Sequence, residues 1–426
     1  VGPRVWLAEL EEYARARKPE VQSTVVAWED LVEKSPGVDE PEKIKRFLYS
    51  QWQKREVGHL LLVGDASVTP VRYMVLDRAT AAAHDYAFYP SDLYYADLAK
   101  SDGAFEDWNA MQDGIHGRYF GEVRGEKHKN DPINFDQIDY HPEIGVGRWP
   151  VRSLEELKTI AGKTLQHEAA IQARRSEAAL ASFIAVDGWI DSRPHLDQAA
   201  SCLSGWTIEK SYYADRFRND QTMAPTEQEV AELFGRGPQL MFHAGHGHPD
   251  HWHACVTLSR LMKVETQGHW PIVLSAGCST AVFAPQAPYE SYVDIHGVRH
   301  PGTNAGQHFA SPPPPAAAIQ PVELTFRSMG TDLLVASPHG AVAYYGCATG
   351  SQPCALTLLT GFAQAVDRSA NKGPVRLGDA YRQQIDYYID AERLTELQPT
   401  ESWYPPSIFF QGQKFVLFGD PTLTLP

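Results

Sequence analysis

The 426-residue chain holds 53 acidic against 38 basic residues, a formal charge of −15, and is 43% hydrophobic and 11% aromatic. That composition describes a globular protein with a substantial core and room for two or three domains, or for two lobes of one. The acidic balance argues against nucleic acid or an anionic membrane as the main partner and permits a basic substrate or bound calcium. No apolar run approaches the roughly 18 residues needed to cross a bilayer. The five cysteines, Cys202, Cys255, Cys278, Cys347 and Cys354, are widely spaced and form no CxxC, which argues against a disulfide framework or a zinc finger. Cys347 and Cys354 are either a pair or two buried thiols. The chain opens on Val1 without a Met or a signal-peptide pattern, which implies a processed or trimmed form and hides the compartment.

In chain order, VQSTVVAW (21–28) reads as a strand, and Ile44, Phe47, Leu48 and Trp52 recur at helical spacing over about 41–55. That helix feeds the apolar strand HLLLVGD (59–65). Residues 84–142, rich in Tyr, Asp, Asn and Gly, read as long loops with short strands, among them SDLYYADL (91–98). EIGVGRW (143–149) is a further strand. Ser153 with Glu156 makes a capping box for a helix over about 153–175. The α/β rhythm then restarts: strands LASFIAVD (180–187) and WTIEKSYY (206–213), with a helix after Pro194 between them, and a helix capped by Thr226 and Glu229 that runs to Gly235. PQLMFHAG and PIVLSAG come next as buried strands. A long irregular insertion with a PPPP run spans 284–321. GAVAYYG (340–346), helices near 355–366 and 377–394, and the strand KFVLFGDP (414–421) close the chain. Strands alternating with helices imply an α/β fold, mostly parallel sheets flanked by helices. Two sheets fit this length: an N-terminal α/β subdomain over 1–152, a connecting helix over 153–178, and a C-terminal α/β subdomain over 179–426.

Three strand ends of the second half carry polar groups: Asp187 after LASFIAV, His246 between two glycines after PQLMFHAG, and Cys278 after PIVLSAG. A thiol needs a nearby base to become a good nucleophile, and a carboxylate can orient that base. Open α/β sheets keep their sites at the carboxyl edge, where two such neighbouring strands would set thiol and imidazole side by side. Gly245, Gly247 and Gly277 let the main chain approach a substrate and leave N–H groups to form an oxyanion hole. A lone cysteine after an apolar strand is ordinarily a small core residue; its match with a His-Gly strand end is what points to chemistry.

The same segment supports a rival reading. His243, His246, His248, His251 and His253 fall within eleven residues, a density that suggests a metal site and a zinc-dependent hydrolase. Against it, His243 lies inside the strand and points opposite its neighbours, there is no HExxH-type spacing, and Cys278 is left without a purpose.

GHG with Trp252 five residues on, and AGCST beyond it, resembles the gingipain-type cysteine peptidases of family C25, in the caspase-like group. LLLVGDASVTP (60–70), SDLYYADL (91–98), PEIGVGRWPVRSLEEL (142–157), GAVAYYGCATGSQP (340–353) and FVLFGDPTL (415–423) are similar to that family's landmarks, in its order. The resemblance implies a caspase/gingipain-like fold of two α/β subdomains and a cysteine endopeptidase acting on protein or peptide substrates, with Cys278 as nucleophile and His246 as general acid/base. It implies oxyanion donors at the N–H groups of Gly247 and Cys278. Asp187 stands where the family has a Glu, one methylene longer. Trp252, Cys347 and Gly350 fall on substrate-binding positions. A carboxylate for a basic P1 side chain falls to Asp197 or Asp191, and residues 347–353 depart from the aromatic and methionine positions of arginine-specific members. No cofactor is required. Structural calcium is expected at Asp92 and Asp97, and a secreted, cell-surface or periplasmic location. The insertion after Cys278 raises a further alternative, an occluded, zymogen-like or inactive peptide-binding module.

Overall fold

The computed structural model describes residues 1–75, 88–117, 133–134, 136–173, 179–214, 224–266, 268–302, 314–321, 327–370, 375–398 and 404–425. Eight strands form its central sheet: β1 (His59–Val63), β2 (Gly145–Trp149), β3 (Leu180–Ala185), β4 (Thr207–Tyr212), β5 (Leu240–Ala244), β6 (Ile272–Ser275), β7 (Ala343–Cys347) and β8 (Phe415–Phe418). Their spatial order is β1-β2-β8-β7-β6-β5-β3-β4. The apolar runs in the sequence form these strands because both faces of the sheet are covered, and a strand buried on both sides carries no polar alternation.

Every neighbouring pair is parallel except β7 with β8. The strands β1, β2 and β8 therefore run opposite to the other five, and the carboxyl ends of the two groups lie at opposite edges. The two sheets expected from the sequence are here the two parts of one sheet. The β2–β8 seam is narrow, with one register pair, Phe418 with Arg148.

One face packs against α3 (Glu40–Gln53), α5 (Arg193–Ser201), α8 (Ala355–Ala370) and α9 (Leu377–Ala391). The other packs against α1 (Leu7–Arg17), α4 (Leu154–Ala173), α6 (Glu227–Gly235) and α7 (Met329–Val335). Alternate residues of β5 serve the two cores, Leu240 and Phe242 on one side and Met241 on the other. Thr226 and Glu229 form the reciprocal capping box of α6. At α4 the box is split: Ser153 accepts from the Glu156 N–H, while the Glu156 carboxylate accepts from the Arg152 N–H.

Two local expectations are corrected. Residues 21–28 are not a strand; they make one bridge, Gly2 to Ala27, and Trp28 opens α2 (Trp28–Lys34). Val1 occupies the edge of β1, so the β-branched run meets only Gly2, and propensity alone does not build a strand. SDLYYADL holds a single helical turn, Leu93–Ala96, with all four residues buried. The reason is Asp92, just before the turn: both its oxygens are bound by Arg148, at 2.7 Å from Nε and 2.6 Å from Nη2. Arg148 is fully buried in β2, also donates to the Gly64 carbonyl at 2.7 Å, and lies over the Phe283 ring.

This ion pair ties the loop after β1, the 91–98 turn and β2 together. Asp92→Ala would leave a buried guanidinium without its counter-charge, which costs on the order of 3–5 kcal/mol. A guanidinium chloride titration is expected to show that loss as a lower unfolding midpoint.

Candidate active site

The carboxyl ends of β5 and β6 lie side by side, in register from Leu240 with Ile272 to His243 with Ser275. Beyond them the chain turns at Gly245–Gly247 and at Gly277–Ser279. The two turns touch through their main chains. A Cβ on Gly247 would lie 2.8 Å from the Gly277 Cα, and one on Gly277 would lie 2.9 Å from the Gly247 Cα and 3.0 Å from His243 Cε1. Gly245 has φ +123°, and a Cβ there would lie 2.4 Å from the Val186 carbonyl oxygen. Side chains at these positions would force the turns apart.

This contact brings Cys278 and His246 to one cleft. Gly188, Trp189, Ile190, Ser192, Gly245, Ala276, Ser351, Gln352, Pro353 and Leu356 complete its lining, and it is open to solvent. The His246 N–H donates to the Asp187 carbonyl at 2.8 Å, which fixes the histidine loop to the end of β3. The ring of His246 meets Trp189 edge to face, with centroids 6.3 Å apart. Cys278 is half-buried, and its Sγ lies 3.3 Å from the Ser351 N–H, a donor to it. Ser279 carries a left-handed φ of 54° and its N–H donates to the Thr349 carbonyl at 2.7 Å. The thiol is thereby clipped to the 349–351 wall. Among the described residues, the N–H groups of Gly247 and Cys278 have no hydrogen-bond partner.

His243 supports this arrangement from below. It is buried, stacked on Trp252 with ring centroids 4.2 Å apart, and its Nδ1 lies 2.9 Å from Ser275 Oγ. Burial pushes its pKa down to about 3. His243 thus stands apart from the other histidines, as its position within the strand predicts. The reactivity of other thiols is suppressed: burial pushes Cys255 and Cys347 up to about 12 and Cys354 to about 11. Cys347 and Cys354 are free thiols, so the disulfide alternative is set aside.

Several expected site residues lie elsewhere. Trp252 is 1% exposed beneath the loop and does not line the cleft. Cys347 is buried in β7, and Gly350 lies beside the wall, its carbonyl accepting from Lys414 Nζ. Asp197 projects from α5 to Lys210 Nζ at 2.8 Å and Tyr212 Oη at 2.9 Å, and the lysine contact holds its carboxyl below the usual range. Asp191 is clamped by Arg193 through two bonds of 2.8 Å and by Tyr213, the arginine first among the causes that bring its pKa to about 2. Neither carboxylate lines the cleft. Asp187 sits at its rim, its Oδ1 accepting from the Gly188 N–H at 3.0 Å.

The calcium candidates separate. Asp92 has both oxygens on Arg148 and does not fit a cation site. Asp97 gathers with Glu106 and Asp139. Burial raises the Asp97 carboxyl well above its ordinary value and brings Glu106 to about 7, with Lys45 beside them as counter-charge. The described parts of the insertion line no part of the cleft. They dock beyond the carboxyl end of β1, where the Gln320 N–H donates to the Ala66 carbonyl at 2.7 Å and the Val71 N–H to the Ala318 carbonyl at 2.9 Å. Residues 303–313, with half of the proline run, lie outside the described residues.

Trp189, Ile190 and Leu356 were not anticipated from the sequence, whereas Ser351 and Pro353 fall within the 340–353 landmark segment that the resemblance places at one wall of the specificity pocket. The exposed Trp189–Ile190 pair directly after the Asp187 strand was the available signal, since loop aromatics of this kind have no core to serve.

A thiol and an imidazole at adjacent strand ends, lining one cleft, are the arrangement of a cysteine hydrolase. The profile of peptidase family C25 matches residues 1–426, and the chain belongs to that family of cysteine peptidases. Among solved structures, the complex of Porphyromonas gingivalis RgpB pro- and mature domains is similar, at a TM-score of 0.64 and 14% identity, over 100% of this chain and 78% of that one. The Arg-specific cysteine proteinase gingipain R (RgpB) is similar at a TM-score of 0.62 and 13% identity, over 99% and 76%. At this identity the likeness is one of fold. A search of curated proteins found no match. No helix among the described residues is long and apolar enough to cross a membrane.

The depressed His243 pKa has a consequence for stability. The imidazole is neutral when folded and takes up a proton on unfolding once the pH falls below its ordinary 6.5. Stability is therefore fully present above that value and is lost as pH falls toward about 3, at about 1.4 kcal/mol per pH unit for one proton. Urea unfolding across this window is expected to show a shallower pH slope in His243→Asn than in the wild type.

Proposed function

We propose that the protein is an endopeptidase that hydrolyses peptide bonds through a Cys278 thioester, with His246 as general acid/base. The observation that carries this reading is the shared cleft of Cys278 and His246 at the ends of two paired parallel strands. The Cys278 sulfur attacks the scissile carbonyl, its proton held by His246. The C–N bond then breaks as His246 gives that proton to the leaving amine. Water, deprotonated by His246, attacks the thioester and releases the carboxylate and the thiol. The Gly247 and Cys278 N–H groups would receive the oxyanion, and removal of one such donor costs on the order of 3 kcal/mol in other hydrolases. Asp187 orients the histidine loop through its carbonyl. None of these steps uses a cofactor, and the Asp97, Glu106 and Asp139 carboxylates are where a structural calcium would sit.

We further propose that the P1 side chain is neutral. The basic preference expected from Asp197 or Asp191 needs a carboxylate free to meet a cation, and each already has one, Lys210 or Arg193. The cleft instead offers Trp189, Ile190, Pro353 and Leu356.

Cys278→Ala is expected to lower peptide hydrolysis by more than about a thousandfold and to abolish labelling by an epoxide probe; hydrolysis that persists in this variant refutes the assignment. Profiling on a peptide library is expected to place neutral residues ahead of Arg and Lys at P1. Asp197→Ala should leave that order unchanged, whereas a selective loss of Arg and Lys cleavage would restore the basic pocket.

A further inference from the structure

We propose that Lys414 is a positioning residue of the reaction: its ammonium, acting through the peptide group between Gly350 and Ser351, holds that peptide's N–H on the Cys278 sulfur and stabilises the sulfur as a thiolate. Lys414 stands immediately before β8, is 4% exposed, and its Nζ donates to the Gly350 carbonyl oxygen. The nitrogen of the same peptide group, that of Ser351, donates to Cys278 Sγ at 3.3 Å. One planar peptide thus carries the cation on one side and the nucleophile on the other. Standard bond lengths place Nζ within roughly 8 Å of Sγ. A cation on the carbonyl polarises the amide and makes its N–H a stronger donor, the cooperative effect of hydrogen bonds in series.

Two features separate this lysine from a structural prop. The first is its surroundings. The groups whose charge reaches it are three thiols, Cys347, Cys354 and Cys278, and the rings of Phe410 and Tyr89 lie with centroids 4.7 and 5.9 Å from Nζ. Burial lowers the Lys414 pKa, and ionisation of the thiols opposes that shift. The coupling is reciprocal, so the ammonium in turn favours a thiolate. Burial holds Cys347 up at about 12 and Cys354 at about 11, which leaves Cys278, half-buried in the cleft, to use the charge.

The second feature is how the same wall is held elsewhere. The Ala348 carbonyl accepts from Gln286 Nε2 at 2.9 Å, and Ser351 Oγ accepts from Gln411 Nε2 at 3.2 Å. Neutral amides secure those two points. A buried ammonium costs more to desolvate than an amide, so a lysine at the third point has a use for its charge.

Thiol and thiolate meet Ser351 differently. Sγ lies 3.5 Å from the Ser351 carbonyl oxygen and 3.3 Å from the Ser351 nitrogen. The protonated sulfur can donate to the carbonyl. Once its proton has passed to His246 the sulfur only accepts, and the N–H polarised by Lys414 is its partner. The cation therefore favours the state that attacks.

The role in hydrolysis rests on the peptidase reading, while the effect on the sulfur is tested without a peptide. Alkylation of Cys278 by iodoacetamide, followed across pH on its peptide by mass spectrometry, reads the thiolate. Lys414→Met and Lys414→Gln are each expected to move the midpoint of that profile up by about one pH unit. Lys414→Arg, which keeps the charge, should restore it. Gln411→Leu, which loosens the wall without changing a charge, should not move it. At neutral pH, kcat for peptide hydrolysis should fall about tenfold in the two neutral Lys414 variants. An unchanged midpoint in folded Lys414→Met or Lys414→Gln, or an equal shift in Gln411→Leu, overturns the effect on the sulfur. A shifted midpoint with hydrolysis unchanged overturns the role in the reaction. Should neither neutral variant fold, Lys414 serves the core rather than the thiol, and the proposal fails. Should the wild type cleave no peptide, the peptidase reading fails, and the alkylation arm alone decides what Lys414 does to the sulfur.

Discussion

Contact between two glycine turns governs how this molecule brings Cys278 and His246 to one cleft. The parallel pairing of β5 with β6 sets His243 opposite Ser275, and the next residues of both strands leave the sheet at the same edge. A working distance between thiol and imidazole requires those two exits to lie against each other. With glycine at 247 and 277 they do, main chain to main chain. The consequence is that the turns carrying Cys278 and His246 are held against each other, which matters for any reacting pair because a displacement of about an ångström costs on the order of a hundredfold in rate. Every other device near the site stiffens the same two turns. The Asp187 carbonyl holds the first, Thr349 holds the second, and the His243–Trp252 stack fills the space beneath both.

The reversal of strand direction at β8 explains how the rest of the chain serves this edge. Because β1 and β2 end at the opposite edge, the loops after them cannot reach the cleft. They instead build the buried Arg148–Asp92 pair and receive the described parts of the 284–321 segment. The chain leaving Cys278 crosses the sheet face to reach them, and Phe283 arrives at both Phe418 and the Arg148 guanidinium. One edge is thus committed to chemistry and the other to holding the two parts of the sheet together across a seam of a single register pair.

Much of this was legible in the sequence because burial on both faces writes a strand as a continuous apolar run, and most of the sheet strands carry such runs, the exposed edge strand β4 (TIEKSY) being the exception. The helices with polar starts, Thr226 and Ser153, were equally plain. What escaped was decided by partners distant in the chain. VQSTVVAW has the composition of a strand and no free edge to join. SDLYYADL is shaped by Arg148, more than fifty positions away. The joining of the two sheets rests on β8, whose final strand run says nothing of its direction. At the site, Cys278 and His246 were readable since each is announced by its own strand end. The contact made by the opposite wall was not, since Ser351 reaches Cys278 from 73 residues away through a main-chain N–H that any residue but proline could provide.

The same limit bears on the carboxylates and histidines around the dyad. Sequence spacing counts charged residues near a site but does not reveal which are already satisfied. Asp191 and Asp197 are close in sequence to the strand that borders the cleft, and each is neutralised by a cation of its own region, so proximity overstated their reach. For the histidines the rival reading of one metal centre is set aside as the strand position of His243 predicts: the fold divides the five by environment into a buried ring that packs, one ring in the cleft, and three rings grouped outside it. The division comes from strand geometry. His243 lies inside β5 and must face a core, His246 lies at the turn and faces the cleft, and the hairpin that begins after Gly247 carries the remainder away from the sheet. A single short segment thereby places one ring in the core, one in the cleft and three on the surface in succession, each environment set by distance from the strand end.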